Sequence, residues 1–524
     1  MSQSQPLRLP PTSRLRSRAA LLLLWGAFGI AGSAVRAQPA PPPGLGLLDA
    51  VRLTLARDPN IALSQVQIES ARGALKIASS PFDPVLTSAT TRSSANAPVS
   101  ESAGELTTFL NDTFGWSQTF RNGTSIAPAI ELNRTGTPGG PVIDTGTVSF
   151  RIRQPLLQGR GRGIADAAER SAQHGLVASE LDLRFTTTLR VLAVASQYWQ
   201  ARAAELDLDV LASSEASARE VLTTTRRLVE ADEIPAGELV QLEANLAAKE
   251  SARIDGERSF FAARQGLGRE IGLDQGEIAA LPPPADPLPA IQPDGLPPLA
   301  AAGAFVAVAL RHRADLRASR ERQAGLDILV RAAENGLKPQ LNLVFTPSYT
   351  GFKEGAATGS FFSPLVSNIP GLSSLLSLNL AWPTASNLAR GQLLQTRAAQ
   401  SQNRLATELA VKRIGADVPT ALDAVRRNAQ QLQKAREAVR LFERTVVNEE
   451  KKLRGGTSTL INLISQRDRL TSARQTEVSA QLSLALSLLD LRFQTGTLVA
   501  EEQGEVSLQQ SRLTSLPAQE DSLP

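Results

Sequence analysis

Leu55-Ala-Arg-Asp-Pro-Asn-Ile61 is answered by Leu310-Arg-His-Arg-Ala-Asp-Leu316, and Pro84-Val-Leu-Thr87 by Pro339-Gln-Leu-Asn342. Both pairs stand 255 residues apart. Outward from these anchors each half runs in one order: helix, proline, alternating strand-like stretch, second proline, very long helical stretch. An internal period is read first because it sets the architecture. This one is too long for a solenoid. It describes one unit written twice, which points to a pseudo-symmetric, barrel-like object.

The first strand region spans 85–154. In Thr147-Val-Ser-Phe-Arg-Ile-Arg153, Val148, Phe150 and Ile152 share one side, and Ser149, Arg151 and Arg153 the other. Phe114, Trp116 and Phe120 alternate likewise, as do Ile126, Ile130 and Leu132, with Asn122-Gly123 between the two runs as a tight hairpin turn. The second region spans 341–382, where Leu376, Leu378, Leu380 and Trp382 oppose Ser377, Asn379 and Ala381. Ten of the aromatic residues fall in 113–150 and 341–382. Apolar, aromatic-flanked outer faces with polar inner ones (Glu131, Ser149, Arg151, Arg153, Ser377 and Asn379) fit a membrane β-barrel with a wet lumen. A sheet edge left open in lipid is not tolerated, so closure requires several chains. On pattern alone, an ordinary antiparallel sheet with one buried face is the alternative.

The helical stretches are long. No proline interrupts 156–234, and a helix from about 163 to 229 would extend about 100 Å. A shorter helix returns to about residue 270. In the second half, helix is expected over 299–337, from 388 to Arg454, and again to about 493. Gly455-Gly456 stops the long one, and Pro419 inside it is expected to kink it. Leu422, Val425, Ala429, Leu432, Ala435, Val439, Phe442 and Val446 follow at steps of three and four, close to a coiled-coil seam. Such seams have to be covered by equally long neighbours.

Residues 1–37 read as an export signal. Arg8, Arg14, Arg16 and Arg18 precede a short apolar run, and Val35-Arg-Ala37 offers a cleavage site. The formal net charge is +4, but this segment carries five of the 55 basic residues and no acidic one. Removing it leaves 50 basic against 51 acidic residues, so charge gives no ground for a nucleic-acid partner. The chain has no cysteine, two histidines and one methionine. Disulfides, thiolate sites and a lipidated cysteine are excluded, a soft-metal site is disfavoured, and no cofactor is expected. Residues 38–280 form the first repeat, with its long helix pair over 163–270. The Pro-rich stretch 281–298 is an extended linker. Residues 299–498 form the second repeat, with its helix pair over 388–493, and 499–524 a polar tail expected to lack order.

This layout resembles the TolC family of outer-membrane efflux proteins over about residues 45–498. The resemblance rests on Pro84 and Pro339 entering the strands, and on Arg153-Gln-Pro-Leu-Leu-Gln-Gly159 and Leu380-Ala-Trp-Pro383 leaving them. It also rests on two helical tips, Lys452-Leu-Arg-Gly-Gly-Thr-Ser-Thr-Leu-Ile461 and, more loosely, Arg227–Leu239. It implies a mixed α/β membrane protein: a long α-helical coiled-coil barrel continuous with a trimeric transmembrane β-barrel, two repeats per chain. It further implies a homotrimer in the outer membrane of a Gram-negative envelope. Such a trimer serves as a passive exit duct for an inner-membrane pump and a periplasmic adaptor docked at the tips. Four strands per chain, twelve per trimer, is the family pattern. Residues 85–154 have room for four strands rather than two, making six per chain, but twelve matches a twelve-helix barrel better.

Two departures concern the tips. The acidic ring that the resemblance implies at the periplasmic end falls on neutral Asn462 and Ser465, and the usual glycine of the first tip is Asp232. The ring is either absent or supplied by Asp232, Glu233 and Glu238, which read equally as solvated helix-end charges. Lys451, Lys452 and Arg454, next to Gly455 and Gly456, are placed to pair with Glu238 or Asp232 and hold the duct shut.

Enzyme motifs are missing: Gly159-Arg-Gly-Arg-Gly163 lacks a βαβ unit, and His174 and His312 stand alone on helices. Solute efflux, metal efflux and type I protein secretion all fit the duct. A periplasmic coiled-coil structural or adaptor protein is the alternative, and it leaves the alternating strands in both halves without a use.

Overall fold

The structure, a computed structural model, describes residues 44–517 except 101–102, 137–138, 233–236, 356–357 and 503–504. The export signal expected over 1–37, and Glu233, lie outside the described residues. Helices α1 (Leu47–Arg57) and α2 (Pro59–Ser79) lead into strands β1 (Val85–Ser100), β2 (Ala103–Thr119), β3 (Ser125–Gly136) and β4 (Ile143–Pro155). Next come α3 (Ala167–Glu230), α4 (Gly237–Ile271) and short α5 (Gln275–Ala279). The second half brings α6 (Ala302–His312), α7 (Ala314–Asn335), β5 (Gln340–Glu354), β6 (Leu372–Ala381), α8 (Asn387–Arg454) and α9 (Leu460–Gln494). A small hairpin of β7 (Ala500–Glu502) and β8 (Glu505–Ser507) precedes α10 (Gln510–Thr514).

The helix expected unbroken over 299–337 is interrupted at Arg313, which is extended at φ −62° and ψ 117°. Asp58, 255 positions earlier, breaks α1 from α2 with nearly the same backbone, φ −70° and ψ 122°. The Asp58 break is visible in sequence: its carboxylate accepts the Asn60 N–H at 2.7 Å, and Pro59 opens α2. Arg313 has no such local signal. Its guanidinium donates to Asp315, two residues on, at 2.8 Å and to distant Gln494 at 3.0 Å, so one local and one long-range contact hold the bend. Strands β1 and β5 also begin 255 positions apart, at Val85 and Gln340.

All six long strands form one antiparallel sheet in chain order. The twelve-strand expectation, four per chain, is corrected: residues 85–154 hold four strands by themselves. Strand β1 was hidden because Thr87–Asn96 is polar on both faces and carries no alternation. It forms because β2 satisfies its backbone along a register from Val85↔Ser117 to Pro98↔Gly104. The pairing of β4 with β5, from Ile143↔Glu354 to Pro155↔Asn342, joins the two halves.

At one end of the sheet the Asn122-Gly123 turn meets the segment entering α3. Gly123 has φ +90°, and a Cβ there would lie 2.4 Å from the Gly159 carbonyl oxygen. Arg121 beside it donates two hydrogen bonds of 2.6 Å to Glu169 in the first turn of α3. Its guanidinium also lies 5.0 Å from the centre of the Phe82 ring. The strands are thereby clamped to the helix that follows them.

The 64 residues of α3 and 68 of α8 make helices of about 100 Å each. Helix α8 continues through Pro419 as one element. Helix α9 packs against both α8 and α3, and α4 packs against α3. Of the eight seam residues, all but Phe442 are buried. Arg253 and Arg219 both reach Glu215, and Arg219 also bonds Glu250 at 2.9 Å, tying α3 to α4.

The main core gathers α1, α3, α4 and α9 around Tyr198 and Trp199, both fully buried and edge-on at 5.1 Å. The Pro-rich linker docks there. The Leu45 N–H donates to the Pro283 carbonyl, the Leu45 carbonyl accepts the Ala285 N–H, and the Tyr198 hydroxyl accepts the Asp286 N–H at 3.0 Å. The tail expected to lack order is folded over its described residues, 499–502 and 505–517. Arg492, 3% exposed, donates to the carbonyls of Ser515 and Leu516, and Leu513 enters the core at 1% exposed. Its polar composition concealed that anchor.

Trp199→Ala should cost about 3–5 kcal/mol, read as a lowered denaturation midpoint of the detergent-solubilised protein. A second expectation concerns acid. The Arg121 hydrogen bonds hold the Glu169 carboxyl below its ordinary range. Its stabilisation is complete above the unfolded value near pH ~4.3 and is lost as pH falls through the lower folded value. The melting-temperature gap between wild type and Arg121→Met should therefore be wide at about pH 6 and narrow toward about pH 3. A gap independent of pH would mean that the arginine acts by packing alone.

Candidate functional site

Two parts of the fold carry the residues singled out from sequence: one face of the sheet and the two helical tips. Paired residues in an antiparallel sheet point to the same side. The register links Glu131 with Thr147, Ala129 with Ser149, Ala127 with Arg151, and Ser125 with Arg153. It continues through Ser149↔Ser348 and Arg153↔Val344, and then Val344↔Ser377 and Asn342↔Asn379. Glu131, Ser149, Arg151, Arg153, Ser377 and Asn379, drawn from three strands, therefore share one face. Asn111 joins them, donating to Glu131 at 3.0 Å.

The opposite face holds Phe114, Ile126, Ile130, Val148, Phe150, Ile152, Phe345, Leu376, Leu378 and Leu380. The β6 leucines on this face are 62–67% exposed at 376, 378 and 380. Over these leucines the wall has no covering layer from its own chain, and a surface this apolar is built for an apolar medium or a partner. Strand β1 does not share this polarity.

The second tip is closed by a Schellman turn. Gly455 caps α8, Gly456 takes φ +69°, and Thr457 N–H donates to the Lys452 carbonyl at 2.9 Å. In the first tip Asp232 occupies the equivalent left-handed position, φ +62°, beyond the end of α3. A β-carbon is unfavourable there. The backbone of Glu238 lies in the first turn of α4; its side chain is outside the described residues.

Lys452 pairs with Glu449 at 3.2 Å on its own helix, rather than with Asp232. Hydrogen bonds from Ser458 and then Lys452 hold the Glu449 carboxyl below its ordinary range. Lys451 and Arg454 make no ion pair among the described residues. Asn462 donates its N–H to the Thr459 cap of α9, and Ser465 faces a groove beside Phe442.

The two helix pairs meet just above the tips through polar contacts. Arg467 of α9 donates to Ser217 of α3 and to Glu450 of α8, both at 2.7 Å, and Lys249 of α4 pairs with Asp468 at 2.7 Å. Thr471 reaches Ser214 at 3.2 Å beside a cavity of about 190 Å³. Sequence reading missed this layer, because isolated Ser, Arg and Asp on long helices look like solvated surface. No group of three His, Asp or Glu among the described residues is arranged to hold a metal ion. No helix among them is long and apolar enough to cross a membrane.

No family model matches the chain, and no curated protein matches it. Solved structures do. The outer-membrane channel OprN aligns over 86% of this chain and 90% of its own, with a TM-score of 0.62 at 17% identity. The Campylobacter jejuni outer-membrane channel CmeC aligns over 86% and 85%, with 0.61 at 15%. The Vibrio cholerae outer-membrane protein VceC aligns over 86% and 96%, with 0.61 at 16%. At these identities the likeness speaks for architecture. A sheet with one apolar and one polar face, set on paired 100 Å helices, gives this chain the fold of the TolC-type outer-membrane channels.

Proposed function

We propose that the protein is the outer-membrane exit duct of a tripartite efflux or type I secretion system, passively conducting solutes from a periplasmic adaptor and an inner-membrane pump. The observation that carries this reading is the strand register, which sets Glu131, Arg151 and Arg153 on the face opposite Ile130, Val148, Phe150 and Leu376 across β3 to β6. One chain leaves the edges of β1 and β6 unpaired. In lipid such edges need partners, and further copies of the chain are the simplest source. A homotrimer would then close eighteen strands, and barrel diameter grows with strand number.

The helices support the same assembly. Outermost α4 exposes Val240, Ile254 and Phe261, and α8 exposes Leu388, Leu394, Leu405 and Leu441. Packing α4 of one copy against the tip half of α8 of the next would cover Leu441. Packing α2, which exposes Leu63, Val66 and Ile77, against the sheet half would cover Leu388, Leu394 and Leu405 and complete a coiled-coil barrel. The shared 255-residue spacing of helix breaks and strand starts supports two structural repeats per chain. Polar residues of the Glu131 face would line the lumen, and the tips would carry the periplasmic entrance and adaptor contacts.

Lys451 and Arg454 remain available to carboxylates such as Asp232 on a neighbouring copy. Exposed pairs contribute only about 0–1 kcal/mol each, so a latch at the entrance would depend on threefold repetition.

The test is planar-bilayer recording of detergent-extracted protein together with its mass by light scattering. A mass of three chains with discrete channels is expected, and Arg454→Glu should raise unitary conductance. A soluble, non-conducting particle would overturn the duct reading; unchanged conductance in Arg454→Glu would remove the latch alone.

A further inference from the structure

The connection from β5 to β6 does not extend away from the sheet. It folds back over the apolar face at the end far from the helices. Gly146 of β4 and Gly351 of β5 stand opposite each other in register. Together they leave a notch that the backbone of Pro364 and Leu365 fills. A Cβ at Gly146 would lie 3.1 Å from the Leu365 nitrogen, and one at Gly351 would lie 1.8 Å from the Pro364 carbonyl oxygen.

Beneath the same segment lies a buried polar group. Arg134 of β3 makes a two-pronged pair with Asp144 of β4, at 2.7 and 2.9 Å, and Asp144 is 0% exposed. The Ser360 hydroxyl donates to Asp144 at 2.7 Å, and the Phe361 ring centre lies 5.2 Å from the Arg134 guanidinium carbon. Asn368 donates to the Phe352 carbonyl at 3.0 Å and fastens the far end. The outer surface of the segment is apolar: Phe362 is 60% exposed, Val366 85% and Ile369 41%.

The placement matters for the height of the apolar wall. A strand crossing a bilayer core needs about 9–11 residues. On β4 the apolar positions run only from Val148 to Ile152, and the next residues on that face are Gly146 and Asp144. Strand β3 likewise offers Ile126 to Leu132 before Arg134. Bare, both strands would meet lipid with a charge too early. Covered, β3 and β4 stay apolar out to positions 134 and 144, which is the required length; on the flanking strands Asp112, opposite Leu132, and Lys353, opposite Asp144, mark the end of the apolar face.

We propose that Ser360–Ile369 is a lipid-facing clasp: it hides the Arg134–Asp144 pair and presents Phe362, Val366 and Ile369 to the acyl chains of the outer leaflet. This rests on the reading of the sheet as a membrane barrel. The occupant follows from continuity: the clasp extends the apolar face already assigned to lipid, and it seats on β4 and β5 rather than at a sheet edge where a second copy would bind.

The chain contains no cysteine, so Val366→Cys, Leu378→Cys and Ser149→Cys each accept one nitroxide label in full-length protein reconstituted into phospholipid vesicles. Collision with oxygen, which concentrates in lipid, is compared with collision with a water-soluble nickel chelate. The label at 366 is expected to match the one at 378, with oxygen favoured several-fold over the value at 149. A label at 366 that meets nickel while 378 meets oxygen would overturn the clasp and leave the barrel standing. Shielding of 366 from both reagents would overturn it in favour of a protein contact. Nickel access at 378 itself would bring down the membrane reading beneath it.

Discussion

The pairing of β4 with β5 is the constraint on which the rest depends. A strand alternates sides with every residue, so a slip of one position would turn each side chain to the opposite face. The register from Ile143↔Glu354 to Pro155↔Asn342 fixes the second half of the chain relative to the first. It brings Ser377 and Asn379 to the side of Arg151 and Arg153, and it sets Gly146 opposite Gly351. A separate sheet in each half would leave four edges. One shared sheet leaves two, and these two differ: β1 is polar on both sides, while β6 is rich in leucine.

Much of this was legible because local signals were strong. The seam of α8, the Gly455-Gly456 stop and the Asn122-Gly123 turn each follow from residue type, and the structure puts the elements within a few residues of those signals. The sorting of strand faces was legible for the same reason, as period two survives any tertiary arrangement. What escaped notice has a common cause. Arg313 bends the chain in part through a bond to Gln494, β1 exists through its partner's backbone, and Arg492 holds the tail through main-chain carbonyls. Each depends on residues far away in sequence, or on backbone groups that every residue possesses.

The candidate site divides along the same line. Glu131, Arg151 and Arg153 could be placed on one face from alternation alone. Glycines at 146 and 351 gave only the weak sign that a glycine inside a strand admits something close, with nothing to say what. At the tips, Asp232 was recognised as standing where glycine is usual, and its left-handed backbone accounts for why glycine suits the position. The partner of Lys452 was not legible, since a three-residue spacing to Glu449 competes with every carboxylate nearby.

The insertion of the α3–α4 hairpin between β4 and β5 also shapes how the molecule is made. The two strands that unite the halves stand 185 positions apart, from Pro155 to Gln340. Loop closure over that distance is slow compared with forming a helical hairpin whose contacts are local. The two helices can zip together first and bring the end of α4 back to Arg190, where Glu270 pairs with it, shortening the effective loop that β5 must close. The helical half is then the template on which the sheet is assembled, and each chain carries two bare strand edges, those of β1 and β6.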